Sequence, residues 1–314
     1  MSACLACGSL RSTPLFQASD RLYHTTAREF AVVRCGECGL TRLDPPPEPG
    51  ELSNYYPENY WFAPDKSAAA GLEEAYRCFV LRDHLRFVEQ AVRHSRARGP
   101  LLDVGCGGGL FPGMMRQRGY RAMGLDNSSE AAAVAWHRRQ APAVCAVLEN
   151  PPFRKESLGA VTMFHVLEHL YDPRAYLLAA HSLLEPDGRL VVQVPNAASW
   201  QFRLLGRRWN GVDVPRHLVD FRDRDVEKLL TECGLEVVRR KYFSLRDNPA
   251  GLASSLAPGL DPMARRVRRV RETAGVRLVK DLTYLALVAA ALPFTAAEAA
   301  CGAGSTVMFE ARRP

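Results

Sequence analysis

The chain has 314 residues, of which 47% are hydrophobic and 24% are charged, a composition typical of globular proteins and not of disordered or collagen-like chains. This length accommodates one large α/β domain and a small accessory module. The formal charge is +7, but most cations are arginines, a bias that genome composition also produces, so the charge is weak evidence for nucleic acid. No cationic and apolar leader opens the sequence, so secretion is not expected. We expect a cytoplasmic protein.

Two Cys-x-x-Cys pairs lie in the N-terminal segment, Cys4 with Cys7 and Cys35 with Cys38, each followed by a glycine. Each pair can give two thiolates to one tetrahedral ion, and such a closed four-thiolate site is structural. The alternating residues 28–34 predict a strand that leads into the second pair. Residues 1–43 are therefore predicted to be a zinc ribbon with structural Zn²⁺; redox-active or free thiols are the alternative.

Residues 44–70 are predicted to link this module to the main domain. They begin with a proline run that favours extended geometry, and they contain the aromatic residues Tyr55, Tyr56, Tyr60, Trp61 and Phe62. This aromatic cluster is either a small satellite core or a lid over a ligand. Apolar residues then recur at helical spacing over residues 71–98, which predicts a helix that packs on the sheet.

The main domain, residues 71–314, opens with a strand and a glycine-rich turn. Leu101–Val104 reads as a buried strand, and Gly105, Gly107 and Gly109 follow it. The spacing differs from the Gly-x-Gly-x-x-Gly of dinucleotide sites. Asp103 would repel a pyrophosphate and attract an ammonium group. Asp126 ends the next strand, where an acidic residue binds a ribose. An amino acid joined to a ribose describes S-adenosylmethionine (SAM).

These residues resemble motif I and the second-strand acidic motif of the class I SAM-dependent methyltransferases. The resemblance implies a Rossmann-like α/β fold, with a seven-stranded, mostly parallel sheet and an antiparallel last strand. It also implies that Asp103 and the glycine turn hold the methionine part of SAM and that Asp126 holds the ribose. In the family, a loop after the third strand lies beside the adenine, which makes Glu149 a candidate contact; an exposed loop acid is the alternative.

The predicted fourth strand, residues 161–164, is followed by His165, Glu168 and His169. This segment resembles the Leu-Glu-His motif of the family, and the segment around His217 resembles ubiquinone-pathway O-methyltransferases and enzymes that modify sugars or glycans. A histidine can accept a hydroxyl proton near neutral pH, so His165, His169 and His217 are candidate catalytic bases. A structural role for each histidine, and a metal at His165 and His169, remain alternatives.

Residues 261–300 form a predicted helical insertion before the last strand. Its first half is rich in arginine, and residues 282–297 carry no charge but include Pro293. This apolar run is shorter than the roughly twenty residues that cross a bilayer. Three roles stay open: the insertion covers the active site, docks on an anionic membrane at the inner face, or mediates homodimerisation.

The sequence therefore predicts an enzyme, a SAM-dependent methyltransferase that acts on a hydroxyl or sugar carbon of a small or lipid-linked metabolite. RNA methylation is the second hypothesis, because zinc ribbons also precede RNA methyltransferase domains. A nucleic-acid partner is not favoured, since the ribbon lacks the lysine and aromatic clustering of such modules. The third hypothesis is a non-catalytic SAM-binding scaffold.

Overall fold

The computed structural model describes residues 2–57 and 68–314. Tyr60, Trp61 and Phe62 of the predicted aromatic cluster lie outside these residues. The strands are β1 Ser12–Ala18, β2 Phe30–Cys35, β3 Thr41–Leu43, β4 Leu101–Val104, β5 Ala122–Asp126, β6 Ala143–Cys145, β7 Leu158–Phe164, β8 Leu184–Pro195, β9 Val219–Asp220, β10 Glu236–Lys241 and β11 Thr306–Arg312. The α-helices are α1 Pro49–Leu52, α2 Ala68–Val80, α3 Arg82–Arg93, α4 Leu110–Gln117, α5 Ser129–Arg139, α6 Pro173–Leu183, α7 Trp200–Leu205, α8 Asp223–Glu232, α9 Asn248–Leu256, α10 Pro262–Val267 and α11 Ala274–Ala300.

Seven strands form the main sheet in the order β10-β11-β8-β7-β4-β5-β6. The pairs among β8, β7, β4, β5 and β6 are parallel, and β11 is antiparallel to both of its neighbours. This confirms the predicted sheet with its antiparallel last strand. Because chain order reverses on either side of β4, the carboxyl ends of β4 and β5 open a crevice for a ligand.

The central strands are buried on both faces, which explains their nearly continuous apolar sequence. β4 has no exposed residue, and β7 is buried up to its last residue. Helix α3 packs on one side through Leu85 and Val88, which are fully buried. Helices begin where the sequence offers caps: Ser128 accepts a bond from the N–H of Ala131.

A second sheet joins the N-terminal module to the main domain. Its order is β1-β2-β3-β9, and β9 comes from the methyltransferase-like part of the chain, paired antiparallel with β3. Leu43 N–H also donates to the carbonyl of Leu218 just before β9. The module is therefore continuous with the main domain through backbone hydrogen bonds.

Several sequence-based boundaries need correction. The helix predicted over residues 71–98 is two helices, α2 and α3, and the linker contains the short helix α1. Pro293 does not interrupt the insertion, because α11 runs through it for 27 residues, long and apolar enough in composition to cross a membrane. The uncharged residues 282–297 alone are too short to cross a bilayer, but α11 extends beyond them at both ends.

Candidate active site and zinc site

The four cysteines of the N-terminal module converge. The Sγ atoms of Cys4 and Cys38 are 3.6 Å apart, as are those of Cys7 and Cys35, and all four lie within 4.8 Å of one another. Tetrahedral Zn²⁺ with bonds of about 2.3 Å separates its sulfurs by about 3.8 Å. The thiol donor set and its spacing therefore fit one zinc ion.

The two cysteine turns have the same backbone pattern. Gly8 N–H donates to the Cys4 carbonyl and Gly39 N–H to the Cys35 carbonyl, and both glycines have positive φ. Burial raises the pKa of Cys4 and raises that of Cys38 to about 12, whereas at Cys35 the backbone amides of Cys38 and Glu37 outweigh burial and lower the pKa to about 6. Such amide donors stabilise the thiolate that a metal requires.

The glycine turn after β4 is shaped for close approach. Gly105, Gly107 and Gly109 all have positive φ, which non-glycine residues rarely adopt. A Cβ on Gly105 would lie 2.8 Å from the Val166 side chain, and one on Gly109 would lie 2.5 Å from that of Ala135. Side chains at these positions would collide with Val166 and Ala135, so the turn requires glycine. The turn lies at the carboxyl ends of β4 and β5, where an open α/β sheet binds a ligand such as SAM.

Two buried carboxyl groups flank this turn. The Thr162 hydroxyl donates to Asp103 Oδ1 at 2.6 Å, yet burial, aided by the nearby Asp126 charge, raises the pKa of Asp103 to about 7. Asp126 accepts the N–H groups of Gly107 and Ser128 at 2.8 and 2.9 Å. Asp126 thus holds the turn itself, and Asp103 gives the site a buried acid that a cationic ligand would ionise.

His165 sits at the end of β7 between two acids. Its Nδ1 is 3.0 Å from Glu168 Oε1, and its Nε2 is 3.6 Å from Asp247 Oδ1 and 2.8 Å from the Gln193 amide. Burial disfavours the imidazolium, but the Asp247 and Glu168 carboxylates outweigh it and raise the pKa of His165 to about 9. His165 is therefore a cation near neutral pH.

His169 and His217 face each other, with ring centroids 4.7 Å apart. The Nδ1 of His169 is 3.0 Å from the Arg216 carbonyl, and the Nδ1 of His217 is 2.7 Å from the Gly211 carbonyl. A carbonyl only accepts, so each Nδ1 carries a proton, and in the neutral ring the lone pair is on Nε2. Burial and the neighbouring His217 lower the pKa of His169 to about 4.

Glu168 completes this group. Its ligand atoms and those of the two histidines lie within 4.8 Å of one another, and its Oε2 is buried without a hydrogen-bond partner among the described residues. The sequence left open a metal site at His165 and His169, but the residues that converge are Glu168, His169 and His217, because His165 turns toward Asp247. The backbone of His165 has positive φ, which leaves the helical course on which that prediction rested.

Arg216 connects the region around His169 and His217 to the N-terminal module. It is fully buried and forms ion pairs with Asp20 of the N-terminal module at 2.8 Å and with Asp213 at 2.6 Å, and it donates to the Tyr55 carbonyl. Burial disfavours ionised Asp20, but Arg216 lowers its pKa to about 2. Tyr56, next to Tyr55, contacts His169 Nδ1 through its hydroxyl at 2.9 Å.

Sequence reasoning missed Asp20, Asp213 and Asp247 in this site. Of these three, only Asp213 lies in a segment that the sequence singled out, the one around His217. The structure places the candidate adenine contact Glu149 on an exposed loop, where it lines a surface cavity of about 470 Å³ with Phe153 and Leu178.

A family model described as a methyltransferase domain matches residues 72–240. These residues include the glycine turn, both buried acids and all three histidines. The chain belongs to this methyltransferase family. With the seven-stranded sheet and the cradle after β4, this identifies a class I SAM-dependent methyltransferase, as the sequence motifs predicted.

Relatives with methyltransferase names agree with the family. The methyltransferase is 31% identical over 173 residues to a ubiquinone biosynthesis O-methyltransferase of Cronobacter sakazakii, spanning 51% of this chain and 70% of the relative. It is 30% identical over 177 residues to the protein of that name from Pseudomonas aeruginosa, spanning 51% and 74%.

Solved structures share the fold at low identity. A geranyl diphosphate C-methyltransferase of Streptomyces coelicolor aligns with a TM-score of 0.51 and 14% identity over 86% of this chain and all of the other. A SAM-dependent methyltransferase of Archaeoglobus fulgidus aligns with a TM-score of 0.50 and 16% identity over 78% and 100%. At this identity the similarity concerns the fold alone.

Proposed function

We propose that this methyltransferase transfers the methyl group of SAM to a hydroxyl oxygen of a small or lipid-linked metabolite. The observation that carries the proposal is the convergence of Glu168, His169 and His217, whose ligand atoms lie within 4.8 Å of one another, in a region where Val166 lies against Gly105 of the cradle. The relatives named as ubiquinone biosynthesis O-methyltransferases support an oxygen acceptor. A sugar carbon is the second acceptor consistent with the sequence motifs. No relative described above is named as an RNA methyltransferase.

Asp103, the glycine turn and Asp126 would hold SAM. When bound, SAM supplies a methyl group on an electrophilic sulfonium. The buried Asp103 carboxyl would ionise next to the cationic amino-acid part, and Asp126 would keep the turn in place while facing the ribose. Glu149 remains a proposed contact of the adenine loop.

His217 is our proposed base. His165 is already protonated near neutral pH, and the low pKa of His169 makes it a weak acceptor. His217 has its Nδ1–H fixed by the Gly211 carbonyl, which aims the Nε2 lone pair into the group at Glu168. Asp213 Oδ2, at 4.0 Å from Nε2, would stabilise the imidazolium that forms.

The zinc site has a structural role in this proposal. Four cysteine sulfurs leave a tetrahedral ion no open position for a substrate. The ion would fix the β1–β3 strands, and β3 holds β9 next to His217 through two residue pairs.

Equilibrium titration with SAM tests the cofactor assignment. We expect wild-type binding and at least a tenfold loss in Asp126→Ala, because the turn loses the carboxylate that accepts from Gly107 and Ser128. Absence of wild-type binding, or unchanged binding by Asp126→Ala, contradicts the site. Release of S-adenosylhomocysteine with hydroxyl-bearing acceptors, compared with RNA, then tests the acceptor class.

A further inference from the structure

Helix α11 carries a large apolar surface that the other described residues, within 2–57 and 68–314, leave uncovered. Its 18-residue apolar window has a mean hydropathy of 1.5, and only 22% of the window is buried. The most exposed apolar side chains are 48–64% accessible: Val276, Leu278, Val279, Leu282 and Leu285. A core helix of the same composition would be mostly buried, so this surface requires another explanation.

The opposite side of α11 is anchored to the fold. Thr295 and Glu298 are fully buried, and Glu298 accepts hydrogen bonds from the backbone N–H and side-chain amide of Gln201 at 2.8 and 2.9 Å. The Tyr284 hydroxyl is bonded to Ser254 of α9. Crossing a bilayer would remove these partners and expose Glu298 to hydrocarbon. The helix is therefore suited to lie along a surface and not to span it.

Basic residues border one end of the apolar face. Residues 261–281 contain seven cationic and three acidic side chains. Arg269, Arg271 and Arg277 are exposed there, and Val270 is exposed between the first two. Exposed arginines next to exposed aliphatic side chains are the arrangement by which an amphipathic helix binds anionic headgroups and inserts its apolar face at the acyl boundary.

We propose that α11 and the arginine segment before it form a docking surface for an anionic lipid bilayer, with α11 in the plane of the membrane. Charge favours a bilayer over a second copy of the chain. The exposed residues at the other end of α11, over 289–300, are alanines and Pro293. An antiparallel copy would set these arginines against the exposed alanines, and a parallel copy would set them against arginines, with Asp281, already paired with Arg265 and Arg277, as the acid beside them. An anionic membrane offers the negative charge that neither arrangement supplies. This docking proposal does not depend on which molecule accepts the methyl group.

Co-sedimentation of the full-length protein with lipid vesicles tests this docking surface. We expect binding to vesicles of phosphatidylcholine mixed with phosphatidylglycerol and little binding to phosphatidylcholine alone. Leu282→Asp combined with Leu285→Asp should weaken binding at least tenfold, because charge then enters the acyl region. Arg271→Ala and Arg277→Ala should each weaken it about fivefold, and added salt should do the same.

Leu10→Asp is the matched control, since Leu10 is 64% exposed on the N-terminal module and should leave binding unchanged. Unaltered SAM affinity and thermal melting show that each variant folds. Three results overturn the proposal. The first is no binding of the wild type to the anionic vesicles, and the second is full binding by the Leu282 and Leu285 variant. The third is a wild type that does not bind vesicles but forms a dimer in their absence, with the variant unable to form that dimer.

Discussion

Replacing Asp103 with asparagine separates cofactor binding from stability. Asp103 is buried at the end of β4, where burial and the Asp126 charge raise its pKa to about 7. The isosteric amide can still accept the Thr162 hydroxyl bond, but it cannot ionise. We expect Asp103→Asn to make the ligand-free protein more stable and to weaken SAM binding at least tenfold.

The size of the gain follows from the pKa difference between states. The unfolded chain has an ordinary aspartate pKa of about 3.9. Because the pKa of Asp103 is raised in the folded state, ionisation of Asp103 lowers the free energy of unfolding. This loss is absent below about pH 4, grows by about 1.4 kcal/mol per pH unit, and is constant above about pH 7. A pKa difference of about three units corresponds to a loss of ~4 kcal/mol as an upper value. At pH 8, Asp103→Asn should therefore raise the free energy of unfolding by about 2–4 kcal/mol.

Urea unfolding of the ligand-free protein at pH 4 and pH 8 measures this gain. Glu130→Gln, an exposed carboxylate on α5, is the charge-matched control and should change stability little. Equal effects of Asp103→Asn at both pH values would refute the raised pKa. In the wild type, SAM affinity should rise between pH 6 and pH 8 as Asp103 ionises; an affinity that is flat with pH would also contradict the argument.

Three further predictions concern the region after β7 and the zinc module. Arg216→Met should lower the free energy of unfolding by about 3–5 kcal/mol, measured with denaturant, because Asp20 stays buried without its cation. In the wild type, the stability contributed by this pair should be lost as the pH falls from 4 to 2. A variant that loses the same stability over this pH range would contradict the pairing. His217→Gln should lower kcat at least a hundredfold at unchanged SAM affinity, whereas equal losses in both would indicate a structural role. Cys35→Ser, or zinc chelation, should reduce methyl transfer, measured by a turnover assay, more than SAM binding, measured by calorimetry.

The cofactor half of the enzyme could be predicted from the sequence because its signals are local. Gly105 and Gly109 need positive φ, Asp103 stands two residues before the turn, and Asp126 ends the adjacent strand. A strand, a turn and a helix in order determine their positions relative to one another. The family match and the sheet order confirm the resulting fold.

The region after β7 could not be predicted in the same way, because its geometry depends on contacts distant in sequence. Asp20 meets Arg216 across 196 positions, and Tyr56 meets His169 across 113. A helical course would put His165 and His169 on one face, but Asp247, 82 positions beyond His165, contacts His165 instead. A periodicity of side chains within one segment carries no information about such partners.

The N-terminal module takes part in these long-range contacts. Its strand β3 pairs with β9, its Asp20 neutralises Arg216, and the Leu218 N–H donates to the Glu168 carbonyl at 2.7 Å. These contacts place His217 opposite His169. The cradle that Asp103 and Asp126 flank is built from β4, β5, β7 and their loops, none of which belongs to the N-terminal module. Loss of the module should therefore affect the acceptor side first, and the ratio of turnover to cofactor affinity is the quantity that measures this coupling.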